Sequence, residues 1–291
     1  MQAKLLLLHA LSPLHAGTGQ GVGVIDLPIA REKATGIPFV PGSTVKGVLR
    51  DACPDEKKVA VFGPETANAS DHAGSAQFTD ARLLLLPVRS LAGTFAWVTS
   101  PLLIQRFLRD VSAVSSLKPT TTPTAPTNDQ ACVVADGTTC KLILTQQNAD
   151  RVVLEDLVLT PEKNSNLTHW AGWLGDQLFP TDGYWKDSLK ARLCIVPDNV
   201  LSFLLQTATE ITARISLDDE KKTVKQGQLW YEEALPVETV LAGLVAAAPI
   251  KKSGAEVNAV FQTISDLTHD KTLQFGGNAT VGRGLCRMRL S

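Results

Sequence analysis

Residues 15–51 hold most of the side chains that could do chemistry. "GTGQGVGVIDLPIAREKATGIPFVPGSTVKGVLRD" (17–51) carries four glycines in its first seven residues, then Asp26 as a single carboxylate within the apolar "GVIDLPI". Burying that carboxylate without a partner would cost on the order of several kcal/mol or raise its pKa. Asp26 is therefore expected to be exposed at a loop edge, and spacing alone gives it no more than a turn residue's role. His15 is the nearest candidate acid or base. A further acid, Glu233, lies in "LWYEEALP" (229–236). Strand alternation sets Trp230 and Glu232 on one face there, Tyr231 and Glu233 on the other. That stretch reads first as a half-buried hairpin arm and second as a source of a catalytic carboxylate. No H-E-x-x-H, G-x-S-x-G or paired-carboxylate signature names another chemistry.

Anion binding has a broader basis. "GTGQGVG" (17–23) fails the dinucleotide fingerprint at Val22, and "GIPFVPGST" lacks the lysine of a P-loop. What remains is generic: glycines let a backbone approach a ligand and turn N–H groups toward an anion. Gly17 and Gly19 could do so near the start of the chain. Gly276, Gly277, Gly282 and Gly284 could do so in "FGGNATVGRG" (275–284), with Arg283 held between two glycines. "PGSTVK" opens a helix, with Ser43 as N-cap, Thr44 adding a hydroxyl and Lys46 one turn in. Free N–H groups, the helix dipole and a cation suit a phosphate. Ordinary turns and a plain N-cap remain the simpler alternative.

Bulk composition is that of a soluble globular chain: 291 residues, 44% hydrophobic and 20% charged, with net charge −1. Any nucleic-acid role therefore needs a local basic surface. Residues 1–50 supply one, with Lys4, Arg31, Lys33, Lys46 and Arg50 against Asp26 and Glu32. Five scattered cysteines without a C-x-x-C fit reduced thiols in a cytoplasm rather than disulfides or zinc. The opening apolar run is broken by His9 and reads as a buried strand rather than a signal peptide. No run is long enough for a membrane span.

The elements that must position these residues follow from periodicity. Strands are expected at 4–11, 76–88, 94–99, 150–159 and 191–197. Helices are expected from Ser43, at 101–114, at 166–178 and from Asp198, and also in "VETVLAGLVAAA" and "AEVNAVFQTISDL". Residues 54–74 read as loop, and the Ser/Thr/Pro-rich stretch around 115–145 as a mobile insertion. Residues 211–236 form two β-rich arms around a charged centre, a long projecting hairpin. The β-α-β-β-α-β order predicts an α+β fold with a ferredoxin-like core carrying insertions, as one domain over 1–291.

Taken together, "SPLHAGTGQGVGVIDLPIAREKATGIPFVPGSTVKGVLRD", the 211–240 stretch and "FGGNATVGRG" resemble the RAMP superfamily, and within it the backbone subunits of type III-B CRISPR effectors (Cmr complexes). The resemblance spans the chain in order, residues 115–145 excepted. It implies a modified ferredoxin-like, RNA-recognition-type palm with a β-hairpin thumb. Copies of the chain would stack along a guide CRISPR RNA beside other subunits of the complex, in the cytoplasm and away from membranes. It implies cleavage of target RNA at regular intervals by Asp26. The mechanism expected from the residues is metal-assisted, through Mg²⁺ (or Mn²⁺) at Asp26, with the ribose 2′-OH as nucleophile. His15 and Glu233 would be accessory. Ser43, Thr44, Lys46, Arg31, Arg50, the early glycines and the loop carrying Arg283 would hold RNA backbone without reading bases. A non-catalytic architectural subunit, a guide-processing endonuclease of the same superfamily, and a small-ligand binder are the competing readings.

Overall fold

The computed structural model describes residues 1–19, 21, 24–65, 73–114, 117–218, 220–221, 223–249 and 256–291. The chain begins with β1 (Gln2–Ala10), the short β2 (Phe39–Val40), α1 (Gly42–Ala52), α2 (Asp55–Phe62), β3 (Ala76–Phe78), β4 (Ala81–Ser90), β5 (Thr94–Thr99) and α3 (Pro101–Val111). The middle supplies β6 (Ala131–Ala135), β7 (Leu144–Gln146), β8 (Ala149–Leu154), β9 (Leu157–Asn164), α4 (Ser165–Leu178), α5 (Gly183–Arg192), β10 (Leu193–Ile195) and α6 (Asp198–Thr207). The hairpin β11 (Glu210–Leu217) and β12 (Val224–Ala234) follows, then β13 (Val240–Ala247), α7 (Val257–Thr268), β14 (Thr272–Gln274) and β15 (Leu285–Leu290).

β1 lies between β13 and β15, antiparallel to both, and β13 continues to β4. The "LLLL" run of β1 does not alternate with polar residues because both faces are covered. Leu6 and Leu8 join Val45, Leu49, Val260, Ile264 and Leu267 of α1 and α7. Leu5 and Leu7 meet Ile104, Phe107, Trp170 and Leu174 of α3 and α4. The same double burial explains β13. "VETVLAGLVAAA" reads as helix by composition, yet Val240–Ala247 is a central strand, and a strand covered on both faces shows no period-2 signal.

β4 also enters a second system. The order β4-β5-β10-β6-β9-β8 returns to β4 through Ser90 opposite Leu154, closing a strand barrel. Leu86, Val98, Val134, Val152 and Leu159 fill it. β6 is buried at all five positions although it falls in the stretch expected to be an insertion. Residues 150–159 form a hairpin rather than one strand, turning at Glu155 with φ +49°. Residues 55–62, expected as loop, form α2: Asp55 and Glu56 occupy its first turn, where carboxylates favour the helix dipole. α5 lacks the strong apolar stripe that would have announced it; Ser188, Leu189 and Ala191 are its buried positions.

The 211–236 hairpin is present as expected. On β11, every second residue is exposed, so Ile211, Ile215 and Leu217 stand on an outer face. No helix among the described residues is long and apolar enough to cross a membrane.

Candidate functional site at the root of the hairpin

The root of β12 has two edges. One pairs with β11. The other is taken, rung by rung, by the segment around Asp26 and by the segment after β1. Tyr231 accepts at its carbonyl from Leu27 N (3.0 Å), and Leu27 O accepts from Glu233 N (3.0 Å). Leu235 exchanges both backbone hydrogen bonds with Leu14. Two rungs are completed by side chains. Tyr231 N–H donates to Asp26 Oδ2 at 2.7 Å, and His15 Nδ1–H donates to Glu233 O at 2.6 Å. Residues on one strand edge repeat every second position, so Asp26 and His15 are set along one edge at Tyr231 and Glu233.

Asp26 is exposed, as the sequence predicts. It lines a hollow of about 520 Å³ with Gly21, Leu27, Gly227, Gln228, Leu229 and Trp230. The pinned carboxylate thus faces a space between its own loop and the projecting strand. His15 is 7% exposed. Its ring lies against Gly17, where a Cβ would come 2.6 Å from Nε2. The bond at Nδ1 to a carbonyl leaves Nε2 as the acceptor nitrogen of the neutral ring. Gly19 is exposed and has no neighbour crowding it.

The C-terminal glycine loop closes onto the same place. Gly277 N donates to His15 O (2.9 Å) and Gly284 N to Pro13 O (2.8 Å). Gly276 (φ +76°) and Gly284 (φ +76°) are left-handed, and a side chain at either would strike the carbonyl of His15 or Phe275. These two glycines serve close backbone approach; Gly277 and Gly282 are exposed. Arg283 turns inward. It is 7% exposed, donates to Thr212 Oγ1 (3.1 Å), and lies 3.9 Å from both Glu210 and Glu232. Burial pushes the Glu210 carboxyl up, against the pull of Arg283.

Glu232 is the acceptor at the centre of that network. Its carboxylate receives Trp230 Nε1 (3.0 Å), Arg214 Nε (3.2 Å) and Asn278 Nδ2 (3.1 Å). Burial pushes its carboxyl up, but the Trp230 and Arg214 donors and the Arg214 and Arg283 charges together hold it below the usual glutamate range. The neighbouring Glu233 is 3% exposed and fully engaged. Oε2 accepts from Ile29 N (3.1 Å), and Oε1 from Thr209 Oγ1 (3.0 Å) and Arg31 Nη2 (2.5 Å). Arg31 also donates to Gly36 O and Leu205 O, each at 2.9 Å.

A separate, open surface lies at α1. Ser43, expected at the N-cap, sits exposed in the first turn; Pro41 holds the cap position and Gly42 N is bonded by Asp80 Oδ1 (2.8 Å). Asp80 does the capping, which releases Ser43 to solvent. Ser43 and Lys46 line a hollow of about 410 Å³ with Gly42, Gly63 and Gly74, and an adjoining one of about 510 Å³ with Arg50. Arg50 Nη1 reaches Gly63 O (2.5 Å). Thr44 is half-buried in the same turn.

The structure thus gathers Asp26, His15, Arg31, Glu233, Arg283 and the glycines at the hairpin root, and sets Ser43, Thr44, Lys46 and Arg50 at α1. Sequence reasoning missed Asp80, Glu232 and Tyr231 as partners. Only the alternation in "LWYEE" pointed to one of them, pairing Trp230 with Glu232. Among the described residues, no three His, Cys, Asp or Glu side chains converge to hold a metal. Among those residues, Asp26 is the carboxylate that lines the hollow. A hard ion that keeps most of its waters and takes phosphate oxygens fits such a donor set; zinc, which wants a full nitrogen or sulfur shell, does not.

Comparison with known proteins agrees with this architecture. A model of the RAMP superfamily matches residues 7–287. The CRISPR system Cmr endoribonuclease Cmr4 of Pyrococcus furiosus is 35% identical over 301 residues, covering 100% of this chain and 96% of its own length. The crystal structure of oligomeric Cmr4 from Pyrococcus furiosus matches with a TM-score of 0.75 at 29% identity, covering 100% of this chain and 99% of that one. A chain of the type III-B Cmr-beta complex bound to cognate target RNA shares the fold, with a TM-score of 0.73 at 20% identity, covering 100% of this chain and 97% of its own. With a superfamily model spanning nearly its full length and a relative matched end to end, the chain belongs to the RAMP superfamily, in its Cmr4 group.

Proposed function

We propose that this protein is a repeated, guide-RNA-binding backbone subunit of a type III-B CRISPR effector, and that it cleaves target RNA with Asp26. The observation that carries the reading is the placement of Asp26: exposed at a hollow, one oxygen fixed by a strand amide, on the projecting hairpin's own edge. The named relatives, an endoribonuclease, an oligomer and a complex bound to target RNA, support the class of substrate and the self-association. The order β15-β1-β13-β4, with α1 and α7 on one face, supports a ferredoxin-like palm, and the 211–236 hairpin a thumb, in one domain. A cytoplasmic location follows from that role.

The guide backbone lies along the α1 hollow, where Ser43, Lys46 and Arg50 offer a hydroxyl and two cations without base-reading chemistry. The target strand passes the hairpin root. A-form pairing keeps a ribose 2′-OH out of line with its own phosphorus, and a nucleotide displaced into the 520 Å³ hollow escapes that constraint. The 2′-oxygen then forms a bond to phosphorus as the P–O5′ bond breaks, giving a 2′,3′-cyclic phosphate and a 5′-hydroxyl. Asp26 receives or orders the 2′-OH proton while Tyr231 N–H keeps its other oxygen fixed. Asp26 would also hold Mg²⁺ or Mn²⁺, which supplies charge stabilisation at the phosphate. His15, with its ring orientation set by Glu233 O, is the second candidate for proton transfer.

The test is target-RNA cleavage by the guide-loaded complex carrying Asp26→Asn, with Mg²⁺ and with EDTA. Asparagine keeps an acceptor for Tyr231 N–H. The expected result is loss of an evenly spaced product ladder by about 10³-fold, with target affinity within twofold. An undiminished ladder would reject Asp26 as the cleaving group.

A further inference from the structure

The geometry points to Arg31 as a positioning residue for the cleaving carboxylate, an inference that rests on Asp26 being that carboxylate. The sequence offers Arg31 as a phosphate contact. In the fold its guanidinium joins three parts of the chain: Gly36 O in its own loop, Leu205 O in the last turn of α6, and Glu233 Oε1 at the root of β12. Glu233 in turn holds Ile29 N–H with its other oxygen. Between Asp26 and Arg31 the chain is irregular, so its course is set by its attachments. Backbone bonds hold it at Asp26, Leu27, Pro28 and Ala30, the last both to Ala16 O (2.7 Å) and from Phe39 N (3.1 Å). Side chains hold it at three points: Asp26 on Tyr231 N–H, Glu233 on Ile29 N–H, and the Arg31 fork. Arg31 is therefore the side-chain anchor at the far end of the segment whose near end is the carboxylate.

The pair has one feature that a surface ion pair lacks. Glu233 is 3% exposed, so its charge has no water to fall back on. Without Arg31, the carboxylate keeps only Thr209 Oγ1 and Ile29 N as donors, and an unpaired buried charge is drawn toward solvent. That movement disturbs Glu233's hold on Ile29, three residues from Asp26, while no side-chain hydrogen bond of Arg31 or Glu233 reaches Ser43, Lys46 or Arg50. A shift near 1 Å at a reacting group can cost about a hundredfold in rate.

The experiment compares guide-loaded complexes carrying Arg31→Ala, Arg31→Lys and the double variant Arg31→Ala with Glu233→Gln, with Asp26→Asn alongside. Single-turnover cleavage at saturating target RNA is read against target affinity. Arg31→Ala should cut about ten- to a hundredfold more slowly with affinity within twofold. Arg31→Lys should lie between, since one ammonium cannot span the three acceptors. The double variant should recover most of the rate, because a neutral glutamine still accepts from Ile29 N and strands no charge. Equal losses of affinity and rate in Arg31→Ala would overturn the inference in favour of a phosphate contact. Failure of the complex to assemble with both Arg31→Ala and the double variant would overturn it in favour of a purely structural role. Full-rate cutting by Arg31→Ala while Asp26→Asn is dead would reject this inference and keep the proposed function. Full-rate cutting by Asp26→Asn would reject the proposed function itself.

Discussion

Two clusters of basic and polar side chains, at α1 and at the hairpin root, are treated in opposite ways. At α1, Ser43 and Lys46 face open hollows, Arg50 lines one of them while bonding Gly63 O, and the helix start is capped from a distance by Asp80. At the hairpin root, Arg31, Arg214 and Arg283 are turned onto Glu233, Glu232 and Glu210. Under the proposed function, the difference separates two jobs. A surface that holds a polymer of any sequence needs exposed, forgiving cations, each contributing a little. A site that must place one carboxylate relative to one phosphate needs partners whose geometry is fixed, and buried charge pairs fix geometry because leaving either member alone is costly.

That comparison predicts a ranking of effects. Asp26→Asn is the largest for activity and near zero for stability, since the side chain is exposed. Glu232→Ala comes next. It strands Arg214 and an orphaned Trp230 N–H and leaves Arg283 with only Thr212 and Glu210, so it should destabilise the fold by about 3 kcal/mol in denaturant unfolding. A loss below about 1 kcal/mol would erase the contrast between the two regions. The same carboxylate gives a pH signature. Its folded-state pKa is depressed, so its contribution is complete above the ordinary glutamate range and is lost as pH falls through the folded value. Unfolding midpoints should therefore fall more steeply in acid for the unmutated protein than for Glu232→Gln.

Lys46→Ala should leave stability unchanged and weaken RNA binding a few-fold at low salt. Its log–log salt slope should be shallower by about 0.7, the value for one phosphate contact on a single strand. An unchanged slope would move the RNA path away from α1. The smallest effects distinguish two candidate caps. Asp80→Ala should cost about 1 kcal/mol and Ser43→Ala less than about 0.5. The reverse order would return the N-cap to Ser43.

Local signals in the sequence are legible where an element is amphipathic or bounded by glycine. β5, α4 and the β11–β12 hairpin fall where periodicity put them. Double burial erased the signal in β13, and α2 and α5 are short, charge-rich helices held by tertiary contacts. At the site, the exposure of Asp26 followed from its lack of a local partner. Its actual partner, Tyr231 N–H, is 205 residues away in sequence, and Asp80 is 38 residues from the helix it caps. Arg31 shows the limit most clearly: charge counting marks it as basic surface, and only the fold reveals that it bonds Gly36, Leu205 and Glu233.

The saturated edge of β12 has one more consequence. An exposed strand edge invites another chain to add to it, a hazard for any protein whose copies are held side by side. Here the root edge is closed by Leu14 and Leu27, by the side chain of His15 between them, and by that of Asp26 beyond Leu27. A foreign strand could pair there only by evicting the carboxylate. Under the proposed function, misassembly at that edge and loss of cutting would therefore be one event.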